Sequence, residues 1–495
     1  MGSVDGSSHV PPVAVEAPAE RGRASRRGWS RFLSWSTPVW IRVIAAIVGV
    51  AVLALGALLQ AEVNRAQTSL TVIGQQTAPE VKANSDLYFA LTDMDAQVAN
   101  ALLVGDRTTN LGFARSQALA VYAGRQEQAD KDIRLASVSV TDAATARTVD
   151  GILDTFGQYQ ALAAQTLLLD RQTAHDIGRP GAAALVEYRK ATDLSRTQLL
   201  PRVKSLADGQ AARLDATYQS AHDELTTARV WVVVLGAVLL VMLVGLQVYL
   251  ARRFHRVTSP PLLVATVAAT VGLVLSVGLL TTEADQLKVA KKDAFDSLIA
   301  LESGRAITYD ANADESRFLV DPARALQYQQ EFVTKSQEFL DLPGASITTW
   351  DSQLKAAIAA YQARETDVRW GGLMGTEIGN ITFPGERAAA NDALLSYQAY
   401  QLDDRRIRAL NAAGNLGDAI ALAIGDSNVK FATFDTAFGR VIGINQSAFD
   451  QAIADGDNAL RGWTIGLWVG CAALLLLSWL GTRRRLSEYR APSAR

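Results

Sequence analysis

Residue types that could carry out catalysis or hold a metal are few in this sequence and widely separated. Its four histidines are His9, His175, His222 and His255, and no two of them have the HxxxH spacing of a helical metal site. The only cysteine, Cys471, lies inside an apolar run, where a small buried hydrophobic residue is expected. No nucleophile elbow, phosphate-binding loop or dinucleotide glycine motif is present. We therefore expect no enzymatic activity, no cofactor, and no catalytic or metal site.

Acidic residues offer two weaker candidates for chemistry. Asp93 and Asp95, in the stretch LTDMDAQ, are two neighbouring carboxylic acids that could form an acid pair. Residues two apart point to different faces of a helix, so we interpret these aspartates as charges on a helix surface. Glu386, in NITFPGE, has no partner in the sequence that would make it an acid catalyst. The side chains thus predict no reaction. The function has to be inferred from the membrane spans and helices that carry them.

Composition indicates an integral membrane protein. The 495 residues are 49% hydrophobic and 20% charged, with a net charge of −2, which argues against a nucleic-acid-binding protein with a basic face. A single cysteine rules out an intramolecular disulfide bond. Apolar residues concentrate in four blocks, 39–60, 230–250, 261–280 and 463–480, each near the roughly 20 residues that cross a bilayer. We predict four transmembrane helices in contact with membrane lipid.

Basic residues flank these blocks and predict their orientation. They are Arg21, Arg23, Arg26, Arg27 and Arg31 before the first block, Arg252, Arg253 and Arg256 between the second and third, and Arg483, Arg484 and Arg485 after the fourth. The positive-inside rule places the tail 1–38, the turn 251–260 and the tail 481–495 in the cytoplasm. We therefore expect a multi-pass protein of the cytoplasmic (plasma) membrane, with both termini inside and the segments 61–229 and 281–462 outside. The Gly-, Pro- and Arg-rich tail 1–38 is predicted to be disordered.

Both outer segments have the periodicity of helical bundles. Their apolar stripes run through Leu87, Leu91, Met94, Val98 and Leu102; Val149, Ile152, Phe156 and Tyr159; Leu199, Val203, Leu206, Leu214, Tyr218 and Leu225; Trp350, Leu354, Ala357 and Tyr361; and Phe431, Phe434, Phe438 and Val441. Breaks at Gly105–Thr109, Ser137–Thr141 and Gly178–Gly181 divide the first segment into about four helices. Helix starts are predicted at Thr141-Asp142 and at Asp321-Pro322. We predict an all-α fold in which each outer segment is a four-helix up-down bundle.

The order of span, outer segment and span occurs twice, which predicts a tandem duplication. MDAQVANALLVGD (Met94–Asp106) aligns without gaps with YDANADESRFLVD (Tyr309–Asp321), so that Asp95 matches Asp310. The second segment carries extra residues, which we place in the loop 370–386.

Three stretches carry a resemblance to a known family: LYFALTDMDAQVANALLVG (Leu87–Gly105), YDANADESRFLVDPA (from Tyr309) and GNITFPGERAAA (Gly379–Ala390). With the two bundles between spans, they resemble the GlnX-like membrane proteins of actinobacteria, and the bundles are similar to the ligand-binding modules of chemoreceptors. The resemblance implies a sensor of amino acids such as glutamate and aspartate. It also implies a periplasmic solute-binding lipoprotein and a soluble cytoplasmic Ser/Thr kinase as partners, and it is compatible with a homodimer.

We therefore expect a transmembrane signalling adaptor. The turn 251–260 and the tail 481–495 are too short for a kinase domain, so the signal would pass to a separate cytoplasmic protein. Two alternatives remain open: a structural or scaffolding protein of the cell envelope without a ligand, and a chemoreceptor-like sensor that binds a small molecule directly between its helices.

The loop 370–386 is the candidate docking site for a partner. It combines several glycines with three large apolar side chains, Trp370, Met374 and Phe383. Long loops in compact domains are usually functional or disordered, and disordered segments are poor in aromatic residues. We expect an ordered cap at the membrane-distal end of the second bundle, with the three side chains as anchors for a periplasmic partner. The alternative is a lid that only covers the core.

Overall fold

A computed structural model describes residues 37–104, 115–138, 140, 142–254, 259–346, 348–364 and 369–487. Over these residues the fold is all-helical apart from one isolated bridge between Asp341 and Gly371. Four helices are long and apolar enough to cross a membrane, as predicted. The described residues divide into two compact units: unit 1 holds those within 37–57, 233–274 and 467–487, and unit 2 holds those within 58–232 and 275–466. The predicted tail 1–38, up to residue 36, and the turn around Arg256 lie outside the described residues.

The helices of the described ranges are numbered in chain order. They are α1 (Thr37–Thr71), α2 (Ala78–Val104), α3 (Arg115–Val138), α4 (Ala143–Gln172), α5 (Ala182–Leu194), α6 (Leu200–Phe254), α7 (Pro260–Lys288), α8 (Asp296–Val320), α9 (Ala325–Phe339), α10 (Trp350–Gln362), α11 (Gly372–Gly379), α12 (Glu386–Ala412), α13 (Leu416–Leu422), α14 (Asn428–Leu460) and α15 (Trp463–Ser487).

Unit 1 consists of apolar helical segments with many outward-facing side chains. Val241 is 71% exposed and Val274 is 65% exposed, as expected for helices that are hydrophobic on all sides because they meet lipid. Gly56 packs so closely on Cys471 that a Cβ atom at the glycine would lie 2.8 Å from Sγ. Cys471 is buried, which confirms its interpretation as a small hydrophobic residue.

Short π-helical turns interrupt the long helices without breaking them. Val72–Thr77 joins α1 to α2, Ser195–Leu199 joins α5 to α6, Val289–Phe295 joins α7 to α8, and Ala423–Ser427 joins α13 to α14. The helix that contains an apolar span therefore continues into unit 2 in three places, which are α1–α2, α6 and α7–α8. The fourth connection differs, because Gly462 adopts φ +82° between α14 and α15 and ends the helix there.

The first outer segment folds into helices at the predicted places. Two of the predicted breaks, Ser137–Thr141 and Gly178–Gly181, fall between helices, and Gly105–Thr109 lies outside the described residues. Asp142 begins α4 by accepting hydrogen bonds from the backbone N–H groups of Ala144 and Thr145, each at 2.8 Å. In the second segment, Asp321 precedes a short 3₁₀ turn that leads into α9, which confirms the other predicted helix start.

The predicted stripes are buried in the core of unit 2. Phe156 is 3% exposed, Trp350 is 3% exposed, and Leu354 and Phe438 are completely buried. The sequence did not predict that the two outer segments pack directly on each other. Helix α2 lies along α8, and from Leu87 to Val104 and from Ser297 to Val320 almost every residue of the two helices is buried.

Stripe residues should dominate the stability of unit 2. Phe156→Ala and Trp350→Ala should each lower the free energy of unfolding by about 3 to 5 kcal/mol, because a large buried side chain is lost and leaves a cavity. Chemical denaturation of the purified protein in lipid nanodiscs measures this effect. Leu153→Ala, on the same helix as Phe156 but 47% exposed, is the matched control. Equal effects of Phe156→Ala and Leu153→Ala would contradict the core assignment.

Candidate functional site

A cluster of buried charges lies where α2 and α8 meet. Its centre is Arg317, which is completely buried, as are the nearby Asp95 and Asp314. Arg317 Nε donates to Asp95 Oδ2 at 2.9 Å, across the contact between the two outer segments. Its Nη1 donates to Asp310, two turns earlier on the same helix, at 3.0 Å and to Asp314, one turn earlier, at 2.6 Å. We call Arg317, Asp95, Asp310, Asp314 and Lys335 the Arg317 cluster.

Lys335, on α9, supplies the second cation of the cluster. Its Nζ lies 2.8 Å from Asp310 Oδ2 and 2.5 Å from Asp314 Oδ2, so each of these aspartates is shared between two cations. Asp95 receives a further hydrogen bond from the Thr192 hydroxyl at 2.9 Å. The cluster therefore joins helices α2, α5, α8 and α9.

Neighbouring charges favour the ionised forms of Arg317 and Asp310. Burial alone would lower the pKa of Arg317, but the carboxylates of Asp95, Asp314 and Asp310 raise it well above its ordinary value. Burial alone would raise the pKa of Asp310, but the ammonium of Lys335 and the guanidinium of Arg317 hold it well below its usual range. Burial raises the pKa of Asp314, so Asp314 is easier to protonate than Asp310.

Further polar contacts extend this interface between the outer segments. Their partners are Lys82 with Glu302 at 3.1 Å, Asn100 with Ser316 at 2.7 Å, Arg189 with Asp321 at 2.7 Å, and Arg324 with Asp193 at 2.7 Å. The ring of Phe89 meets the ring of Tyr309 edge-on, with centroids 4.3 Å apart. Ion pairs between the two segments therefore occur at Glu302 and Arg317 on α8 and at Asp321 and Arg324 just after it.

The expectation that Asp93 and Asp95 lie on a helix surface is wrong. Asp93 is 4% exposed and pairs with Arg125 at 2.7 Å, whereas Asp95 is completely buried against Arg317. The two do point to different faces of α2, as their spacing predicts. Both faces are covered, because α3 packs on one side of α2 and the second segment packs on the other.

Predicted docking residues lie in an ordered part of the chain. Within the range 370–386, Gly372–Gly379 forms α11. Trp370 and Phe383 are partly exposed, and the ring of Trp370 packs edge-on against Tyr361 with centroids 6.0 Å apart. Met374 is 1% exposed, so a partner could contact it only by displacing its neighbours.

The position of this segment differs from the expected membrane-distal end. The side chain of Asn380 donates to the backbone carbonyls of Lys292 and Asp293, at 3.2 and 3.0 Å, and to the Ser297 hydroxyl at 2.9 Å. These residues follow directly after the third apolar span, so the segment packs near the start of the second outer segment and not at its far end.

Two buried glutamates hold the segment in place. Glu377 and Glu386 are completely buried, and the amide of Asn445 donates to Glu386 at 2.7 Å. Glu386 Oε2 also accepts from the backbone N–H groups of Thr382 and Phe383 at 2.8 and 2.9 Å. Burial and the adjacent carboxyl of Glu386 raise the pKa of Glu377 to about 8. A protonated Glu377 is therefore part of the packed arrangement at neutral pH.

Across the described ranges, no group of His, Cys, Asp and Glu side chains has the arrangement of a metal site. His175, the buried histidine, instead bonds to Asp170 at 2.8 Å. Sequence reasoning missed the Arg317 cluster. The available signal was the pairing of DMDAQ with YDANADESR, which places Asp95 and Asp310 at matched positions in the two stretches and an arginine in only one of them.

Removal of the central guanidinium should destabilise unit 2 strongly. Arg317→Met leaves three buried carboxylates with one cation, so the free energy of unfolding should fall by about 3 to 5 kcal/mol. Asp95→Asn in the same chain should restore part of this loss. Denaturation in nanodiscs measures both effects, with the exposed Arg147→Met as control. A loss no larger than that of Arg147→Met would show that the cluster does not hold the two segments together.

Glu377 should make the packing of α11 depend on pH. Its pKa in the folded protein is about 8, above the ordinary 4.5, so its contribution to stability is complete below about pH 4.5 and is lost as pH rises through 8. Glutamine does not ionise, so the Glu377→Gln variant does not lose stability in this way. The difference between the melting temperature of the variant and that of the wild type should therefore increase between pH 4.5 and pH 8. The exposed Glu127→Gln is the control. Parallel pH profiles for Glu377→Gln and the wild type would contradict the assignment.

Comparison with known proteins gives one match. Residues 69–219 match the model of a family described as an actinobacterial sensor domain, which covers less than half of the chain and falls within the first outer segment. No curated protein and no solved structure matches the chain. The match supports a sensor protein of actinobacterial type, consistent with the helical fold and the four membrane-spanning helices.

Proposed function

We propose that this protein is a transmembrane sensor adaptor of the actinobacterial cytoplasmic membrane. Unit 2 lies outside the cytoplasm, receives the signal, and passes it along its helices to a separate cytoplasmic protein such as a Ser/Thr kinase. A periplasmic solute-binding protein presents the stimulus, which is an amino acid in the family that the chain resembles. Both termini and the turn 251–260 face the cytoplasm.

The observation that carries this proposal is the sensor-domain match over residues 69–219, on the same chain as four apolar spans. Helix α6 runs unbroken from Leu200 to Phe254, so it belongs both to the matched domain and to a predicted span. Helices transmit displacement and rotation over such lengths because their backbone hydrogen bonds are satisfied internally. The turn 251–260 is too short to hold an output domain, which favours a separate effector.

We further propose that the two halves arose by tandem duplication. The first and the last long helix of each half contain a π-helical turn, at Val72–Thr77 and Ser195–Leu199 in one half and at Val289–Phe295 and Ala423–Ser427 in the other. Such turns are rare in helices. The matched residues Asp95 and Asp310 also bind the same guanidinium. Both observations support the alignment read from the sequence.

A structural role in the cell envelope is the competing function. A scaffold needs a stable outer unit but no unbroken helix between that unit and the cytoplasm. Interruption of helix continuity therefore separates the two functions.

Two alanines inserted after Arg229 should abolish signalling. The insertion rotates the rest of α6 by about 200°, since each residue turns an α-helix by about 100°. The same insertion after Arg461 is the matched control, because Gly462 already interrupts the helix there and can absorb it. The readout is the phosphorylation of cytoplasmic proteins in an actinobacterial host, with and without external amino acids, against a strain that lacks the gene.

Reporter fusions within residues 61–229 establish that both insertion variants reach the membrane in the proposed orientation. The sensor proposal requires the Arg229 variant to behave like the deletion strain and the Arg461 variant to behave like the wild type. If deletion leaves phosphorylation unchanged but alters cell shape or envelope stiffness, the scaffold function is correct.

We propose that the partner-docking surface is formed by Trp370 and Phe383, with Met374 supporting them from inside. Both aromatic side chains are partly exposed on an ordered segment, which suits anchors that enter a partner's pocket.

Trp370→Ala combined with Phe383→Ala should abolish capture of a solute-binding protein while the melting temperature stays near that of the wild type. Co-purification from membranes, with the exposed Leu326→Ala as control, measures the interaction. Early melting with capture intact would identify the segment as a lid over the core.

A further inference from the structure

A groove in unit 2 is lined in part by Asp310 and Lys335 of the Arg317 cluster. It has a volume of about 180 Å³ and lies between α2, α6, α8 and α9. Tyr88, Lys204, Asp208, Asp310, Lys335 and Glu338 supply its charged and phenolic lining, and Asn84, Ser85 and Ser303 add neutral polar groups. An engineered apolar cavity of about 150 Å³ in another protein holds benzene, so this groove suits a molecule of roughly ten non-hydrogen atoms or fewer.

The charges of the lining are mixed. Lys204, Asp208 and Glu338 are exposed and form no ion pair with another described residue, whereas Asp310 and Lys335 are already paired with each other at 2.8 Å. A purely anionic ligand would face three carboxylates, and a purely cationic ligand would face two ammonium groups. A molecule with one group of each sign avoids both repulsions.

Tyr88 adds a neutral donor to the groove. Burial, followed by the nearby carboxylates of Asp310 and Glu338, raises the pKa of Tyr88 well above its ordinary value. The phenol therefore stays protonated and can donate a hydrogen bond to an anionic group beside Lys204. Val203, Ala207, Ala306 and Ile307 give the remaining surface an apolar character, as is typical of small-molecule sites.

We propose that this groove binds a small zwitterion directly, with its anionic group at Lys204 and Tyr88 and its ammonium group at Glu338 and Asp208. A free α-amino acid has this chemistry and size. Binding at the groove does not depend on the proposed function, whereas its consequence for signalling does.

The floor of the groove couples such a ligand to the helices of unit 2. Asp310 lines the groove and also accepts from Arg317 at 3.0 Å. A ligand ammonium held at Glu338 and Asp208 adds a positive charge to the groove that Asp310 and Lys335 line, and so changes the balance of charge that holds α2 on α8. Three of the lining helices, α2, α6 and α8, are continuous with apolar spans.

The test uses the full chain in lipid nanodiscs and a fixed set of probes: glycine, L-alanine, L-glutamate and L-lysine, with acetate and methylammonium as single-charge controls. At millimolar concentration, at least one zwitterion should raise the melting temperature in a saturable way, because ligands that bind only the folded state stabilise it. Neither single-charge control should do so. Calorimetric titration then gives the affinity.

Lys204→Met and Glu338→Gln should each weaken binding of that zwitterion roughly tenfold, the loss expected for one charge-assisted hydrogen bond. Both residues are exposed, so the unliganded melting temperatures should not change. Lys355→Met and Glu127→Gln, exposed positions outside the groove, should bind like the wild type.

The proposal is overturned if no zwitterion in the set shifts the melting temperature, if acetate or methylammonium shifts it equally, or if the groove variants bind like the wild type. Loss of the phosphorylation response on insertion after Arg229, without binding at the groove, would overturn this site alone. Binding at the groove without any effect of that insertion would overturn the signalling function alone.

Discussion

A single buried guanidinium organises unit 2. Arg317 is cut off from water, and a charge in that position is tolerated only when carboxylates surround it. Its partners come from both outer segments, with Asp95 on one and Asp310 and Asp314 on the other. A slide of α2 along α8 by one turn would leave buried charges unpaired on both helices. The cluster therefore fixes the register of the two segments more than it adds to their stability, which the apolar stripes supply.

The same cluster makes the contact between α2 and α8 responsive to its surroundings. Three carboxylates face two cations, and Asp310 and Asp314 are each shared between Arg317 and Lys335. A charged group that binds at the edge of this set would compete for the same carboxylates and cations. A uniformly apolar contact would resist sliding equally at all registers and would offer no group for a ligand to compete with. In the proposed signalling function, this competition would link a ligand to the contact between α2 and α8.

The sequence predicts the elements of this fold well, because period and capping are local properties. Phe156 and Leu354 occupy their predicted stripes, and Asp142 begins its predicted helix. The contact between the two segments was missed because it is non-local. Asp95 looks like surface charge in any single helix, and only the presence of α8 buries it. The Glu377–Glu386 pair was not predicted either, since the two acids lie nine positions apart and only the fold brings them together around Asn445.

The proposed duplication gives a reason for the two halves to be joined in one chain. At the offset that matches Asp95 with Asp310, Arg317 matches Leu102. A symmetric pair of identical halves would place either two arginines or two leucines at this contact. Two arginines would repel each other in a low-dielectric interior, and two leucines would leave the paired aspartates without a cation. One arginine shared by two matched aspartates requires halves that differ, and a covalent link guarantees that each Arg317 meets the half that carries Leu102.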